Sequence, residues 1–249
     1  MAETDKTLLI VNNVSCGYAG KAVVQNVSFE IGFGEWLGLL GANGSGKSTL
    51  LRAISGQIPL KTGSITVCGH DLKRAPEKVK SYIGYAVDGE ALPENLTGRQ
   101  YLELLSSIRG CSPTSWPSGN MVELLDFEGW FDEQIGSYSL GTRMKLSISG
   151  ALLGCPPLII FDESLNGLDP VANWKIRNIL LKLIKSSRQS IILSTHMIQT
   201  VEIVCTRAIL LDNQTLSFSW DRKEINDARA TERGFEEMII SILNKNNLN

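Results

Sequence analysis

The stretch Gly41-Ala42-Asn43-Gly44-Ser45-Gly46-Lys47-Ser48-Thr49 follows directly on the apolar run Trp36-Leu37-Gly38-Leu39-Leu40. A strand that empties into a glycine loop and then a helix aims several backbone N–H groups at one spot, where the helix dipole adds positive potential. Gly41, Gly44 and Gly46 let that backbone wrap closely and reach positive φ. The concavity suits a polyphosphate. Gly41, Gly46, Lys47 and Ser48 match G-x-x-x-x-G-K-[ST], in which the lysine reaches the β- and γ-phosphates and the hydroxyl ligates Mg²⁺. Asn43, Ser45 and Thr49 complete the loop and are candidate binding residues with it. Composition alone produces this pattern in a chain of this length about one time in a hundred.

Working outward, Leu158-Ile159-Ile160-Phe161 is an apolar strand that delivers Asp162 and Glu163 at its C-terminal end, where open α/β sheets bind ligands. Asp162 is a candidate for holding Mg²⁺ and Glu163 for polarising an attacking water. From residue 157 the pattern alternates: strand 158–161, helix 171–184, strand 190–194, helix 197–204, strand 208–211. That is α/β alternation around a parallel sheet. Upstream, residues 8–14 and 23–31 read as strands joined at Gly17-Tyr18-Ala19-Gly20, and 35–40 as a buried strand. A helix over 48–55 stops at Gly56, strands follow at 63–68 and 82–87, and Gly69-His70-Asp71 reads as a turn with a solvated His70. Residues 88–155 read as an inserted helical subdomain. There, Thr97 is an N-cap and Tyr101, Leu104, Leu105 and Ile108 fall at spacings of three and four. Further helices are expected at 121–125 and 140–153. The chain therefore divides into a domain over 1–220 and a helical tail over 221–249. In the tail, Phe235, Met238, Ile239, Ile242 and Leu243 form an apolar stripe expected to dock back on that domain.

The 249 residues are 43% hydrophobic and 20% charged with a net charge of −2, so no general field draws the molecule to nucleic acid or an anionic membrane. Five cysteines without a C-x-x-C pair argue against a disulfide framework or zinc site and fit a reducing cytosol. The charged N-terminus has no signal-peptide core, and no apolar run nears the roughly 20 residues of a spanning helix. A membrane role is expected to run through a partner.

Taken together, residues from about 8 to 220 resemble the nucleotide-binding subunits of ATP-binding cassette (ABC) transporters. The resemblance implies an α/β P-loop NTPase fold with a parallel-sheet core, an N-terminal antiparallel β subdomain and an inserted helical subdomain. It implies ATP and Mg²⁺, a second ATPase subunit bound head to tail, and a separate transmembrane permease. The place it implies is cytoplasmic, on the inner face of the cell membrane. Tyr18 matches the aromatic that stacks on adenine, Glu163 the catalytic carboxylate and His196 the histidine that contacts the γ-phosphate. Asn166-Gly167-Leu168-Asp169-Pro170 matches the segment that contacts the opposite subunit. Where the family signature reads L-S-G-G-Q, this chain has Tyr138-Ser139-Leu140-Gly141-Thr142. Ser139 and Gly141 keep a hydroxyl and a close-approach backbone at a helix N-terminus for the partner's γ-phosphate, in the Tyr-Ser-x-Gly form of exporter-type ATPases. Where the family has a glutamine after the strand Ile83-Gly84-Tyr85-Ala86-Val87, this chain has Asp88. Asp88 joins the metal candidates; the alternative is a loop carboxylate facing solvent.

The resemblance implies an ATP-hydrolysing motor of an exporter. A switch or assembly protein of the same fold with little turnover is the alternative, favoured by Asp88 and opposed by Asp162, Glu163 and His196. DNA-repair ATPases of the superfamily carry a long coiled-coil insertion, and residues 50–157 show no sustained heptads. A single glycine loop excludes tandem-cassette translation factors.

Overall fold

The computed structural model describes residues 7–116, 120–165, 167–186, 189–231 and 234–246. Strand β3 (Trp36–Leu40) is buried at every residue, and its side chains divide between two cores. Trp36 and Leu40 enter one, Leu37 and Leu39 the other. The same parity runs through β7 (Leu158–Asp162), β8 (Ser190–Ser194) and β9 (Arg207–Asp212): Ile159, Phe161 and Leu193 go with Trp36, while Ile160, Ile192 and Ile209 go with Leu37. Strands apolar on both faces fit a parallel sheet covered on both sides. With β6 (Ile83–Ala86) and β10 (Thr215–Asp221) they make a six-stranded sheet of order β10-β9-β3-β8-β7-β6. Only the β10–β9 pair is antiparallel.

A second sheet of four antiparallel strands has the order β2-β1-β4-β5, from β1 (Thr7–Tyr18), β2 (Lys21–Gly32), β4 (Leu60–Val67) and β5 (His70–Asp71). Helix α1 (Lys47–Ile54) seals Leu50, Leu51, Ala53 and Ile54 into the core shared by the two sheets. His70 departs from the sequence reading: it lies on β5 rather than in a solvated turn, its ring stacked on Tyr82 with centroids 5.6 Å apart. The turn between β4 and β5 is too tight to release it, because Val67 pairs with His70.

After α2 (Pro76–Ser81) and β6 come α3 (Gly98–Arg109), α4 (Met121–Leu124) and α5 (Leu140–Leu152). Thr97 caps α3 and Gln100 closes a capping box, so the start of this helix is written locally. Its buried face is not. Leu104 is 49% and Ile108 72% exposed, whereas Leu102 and Ser106 are buried. The cause is α5: a Cβ on Gly150 would lie 2.8 Å from Leu105 and 3.3 Å from Tyr101, so the bare backbone there draws in the Tyr101–Leu102–Leu105 side of α3.

Strand β6 lies under α5 with no clearance. A Cβ on Gly84 would fall 1.9 Å from the Ala151 carbonyl and 2.7 Å from Pro156. Backbone cannot yield as a side-chain tip can, so Gly84→Ala is expected to destabilise the fold by about 3 kcal/mol. Denaturant unfolding checks it; an unchanged midpoint would mean that β6 and α5 separate freely.

Beyond α6 (Pro170–Ser186) and α7 (Ile198–Val204), the chain turns at the end of β10 into α8 (Arg222–Arg229) and α9 (Gly234–Asn246). Phe235 and Ile239 are buried in the core that holds Trp36, with Met238, Ile242 and Leu243 packed against it. The Phe235 ring meets Trp220 edge-on at 5.4 Å. Arg222 donates to the Glu202 and Cys205 carbonyls and so caps α7. All five cysteines are free thiols. Among the described residues, no helix is long and apolar enough to cross a membrane.

Candidate nucleotide site

The parallel strands deliver their C-terminal ends to one edge. β3 runs into the glycine loop, β7 ends at Asp162, β8 at Ser194, and β6 points toward Asp88. Register brings these ends together, with Ser194 opposite Asp162 on one side and Leu39 on the other.

In the loop, Gly44 and Gly46 take φ of 80° and 105°. A side chain on Gly46 would also strike Val24 at 2.7 Å, so only glycine serves there. Gly41 is buried, Asn43 exposed and Thr49 buried. Ser45 Oγ is buried and has no hydrogen-bond partner among the described residues. Lys47 is only 4% exposed, 3.6 Å from Glu163 Oε1, and its Nζ donates to the Gly41 and Ala42 carbonyls at 2.9 and 3.1 Å.

Asp162 is gripped at both oxygens. Ser48 and Ser194 donate their hydroxyls to Oδ1 at 2.9 and 2.8 Å, and Tyr85 donates to Oδ2 at 2.9 Å. Burial, then the Asp162 charge, pushes the Tyr85 phenol well above its usual range, so it remains a donor. Glu163 has φ 55°, a left-handed conformation costing a non-glycine residue about 1 kcal/mol. Its N–H donates to Ser194 Oγ at 3.1 Å and to the Ser194 carbonyl at 3.2 Å, which holds that turn. Its carboxylate lies between two basic groups, Lys47 at 3.6 Å and His196 Nδ1 at 3.8 Å.

Tyr18 ends β1, half exposed, and accepts a 3.4 Å hydrogen bond from Arg52, one turn beyond Ser48 on α1. Tyr18, Ser48, Arg52, Asp88, Asp162 and Glu163 line one cleft of about 380 Å³. A cavity of about 410 Å³ lined by Leu102, Trp116, Val122 and Phe131 contains none of them. Asp88 is exposed at the cleft, where its Oδ1 caps the following turn by accepting from Glu90 N at 3.1 Å.

Ser139 and Gly141 lie elsewhere. Ser139 caps α5 through Thr142 N at 3.2 Å, and a Cβ on Gly141 would sit 3.4 Å from the Gly167 carbonyl. Neither lines the cleft. Asn166, from the segment matched to the subunit contact, lies outside the described residues; Asp169 caps α6 at Val171 and Ala172.

Sequence reading missed Ser194, Tyr85 and Arg52. A serine closing an apolar strand and a tyrosine three residues before Asp88 were the available signals, but their meaning depends on which strands are neighbours.

A strand–glycine loop–helix unit facing a strand-end Asp-Glu pair defines a P-loop nucleotide-binding protein. Comparison narrows the class. The family model described as ABC transporter matches residues 24–166. The Bacillus subtilis (strain 168) protein called uncharacterized ABC transporter ATP-binding protein YhcH is 32% identical over 212 residues, covering 85% of this chain and 69% of that protein. The Homo sapiens phospholipid-transporting ATPase ABCA7 is 32% identical over 214 residues, 84% of this chain and 10% of that protein. A solved ATP-binding subunit of an ABC transporter is similar with TM-score 0.84 at 28% identity, over 94% of this chain and 98% of that one. The cassette MJ0796, dimeric and bound to ADP and Pi, shares the fold with TM-score 0.76 at 20% identity, over 86% and 99%. The chain belongs to the ABC transporter family, of which it carries the ATP-binding ATPase domain.

Proposed function

We propose that this chain is the ATP-hydrolysing motor subunit of an ABC exporter. The reading rests on one observation, the convergence of four side chains from α1 and the end of β7. Ser48 Oγ is 2.9 Å from Asp162 Oδ1, and Lys47 Nζ is 3.6 Å from Glu163 Oε1.

The loop N–H groups and Lys47 receive the β- and γ-phosphates, and the buried Ser45 Oγ, without a hydrogen-bond partner among the described residues, supports a phosphate acceptor beside it. Tyr18 stacks on adenine. Ser48 and Asp162, with Asp88 lining the same cleft, make an all-oxygen donor set of the kind that fits a hard cation such as Mg²⁺. Bound there, Mg²⁺ supplies neutralisation of phosphate charge. Glu163 orients the water that attacks the γ-phosphorus as the bond to ADP breaks, and His196 holds the γ-phosphate. Ser139 and Gly141, which do not line the cleft of their own chain, complete the cleft of a second subunit in a head-to-tail dimer. A separate transmembrane permease, with the pair on the inner face of the cell membrane, receives the stroke. Steady-state hydrolysis by the purified chain tests this: Mg²⁺-dependent turnover is expected. Tight ATP binding without turnover would instead establish the switch reading that Asp88 favours.

Asp88 has its own test. Its carboxylate adds negative charge beside the phosphates, so Asp88→Gln should bind metal-free ATP about fivefold more tightly, the worth of about 1 kcal/mol between like charges in a solvated cleft. Mg²⁺ should then improve affinity by a smaller factor. Calorimetry with and without Mg²⁺ decides it, and parallel shifts would place Asp88 outside the site.

A further inference from the structure

Asp162 is held by three hydroxyls, and they do not share one task. Ser48 and Ser194 both address Oδ1. Tyr85 alone comes from the strand on the other side of β7, and it addresses Oδ2 at 2.9 Å. Register explains how: Tyr85 pairs with Ile160, and Asp162, two residues on, projects to the same face of the sheet. The phenol is the donor and the carboxylate oxygen the acceptor, so the one proton of the Tyr85 hydroxyl is committed to Asp162.

We propose that Tyr85 is a positioning residue for metal binding: it anchors the Asp162 carboxylate by Oδ2, so that Oδ1 stays with Ser48. A ligating carboxylate left without its supporting hydrogen bond rotates and binds metal less well. Asp88 follows Tyr85 by three residues, just past the end of β6, so the loop that carries Asp88 leaves directly from the strand that holds this phenol. The inference rests on the reading of the cleft as a Mg–ATP site. A tyrosine that merely filled space would weaken nucleotide binding equally with and without metal.

The test uses the full chain, the non-hydrolysable probe β,γ-imido-ATP, and calorimetry in EDTA and in saturating Mg²⁺. In Tyr85→Phe, which keeps the ring, the factor by which Mg²⁺ tightens binding should fall about tenfold, while metal-free affinity stays within about twofold. In an Asp162→Asn background the same substitution should produce no further fall, because the residue acts through that carboxylate. An unchanged Mg²⁺ factor, an equal loss with and without metal, or a further fall in the Asp162→Asn background would each overturn the proposal. Wild-type protein that binds the probe with no help from Mg²⁺ would take down the functional reading and this inference with it. A wild-type Mg²⁺ effect that Tyr85→Phe leaves intact would remove the inference alone.

Discussion

Glu163→Gln is expected to retain ATP binding and to slow hydrolysis by at least about 10²-fold, the loss typical of a carboxylate that takes or orients a proton in the transition state. The substitution is nearly isosteric. The Glu163 N–H bonds to Ser194 are made by the backbone, so the turn that presents the side chain survives. What disappears is the negative charge 3.6 Å from Lys47. Lys47 then has one competitor fewer for phosphate, so affinity should hold or improve. ATP trapped without turnover should keep two subunits together, visible as a dimer by gel filtration only when ATP is present. Native turnover in this variant would exclude Glu163 as the catalytic carboxylate.

Lys47→Ala should weaken ATP binding by about 10²-fold, since a charge-assisted hydrogen bond to phosphate in a buried setting is worth up to about 3 kcal/mol. Part of that loss precedes ATP. The ammonium also bridges the Gly41 and Ala42 carbonyls, so its removal leaves the loop without the clasp that keeps its N–H groups convergent. Restoring charge without that geometry should therefore not rescue binding: a guanidinium is too broad for a pocket where Lys47 is 4% exposed, and Lys47→Arg should resemble Lys47→Ala. Calorimetric titration with ATP measures both variants. Wild-type affinity in Lys47→Ala would remove the polyphosphate reading of the loop.

The glycine loop could be read in advance because its geometry is local. Gly46 needs φ of 105° whatever surrounds it, and a strand before it and a helix after it fix where the N–H groups point. Thr97 was equally readable as an N-cap, because the hydrogen bond its hydroxyl accepts from Gln100 N closes within four residues. The tail stripe was readable as an apolar face, since Phe235 and Ile239 recur at helical spacing, though its resting place beside Trp220 was not.

The sequence by itself determined the elements whose hydrogen bonds and torsions close over a few residues: the strands apolar on both faces, the phosphate loop, and the carboxylate pair at the end of β7. Tertiary structure alone decided the strand order β10-β9-β3-β8-β7-β6, and with it everything that depends on a neighbour. Ser194 holds both Asp162 and the Glu163 turn only because β8 lies beside β7, and Tyr85 reaches Oδ2 only because β6 lies on the other side. Leu102 rather than Leu104 is buried because α5 presents a glycine to α3. Contacts of this kind join residues far apart in the chain, and no spacing along a single segment encodes them.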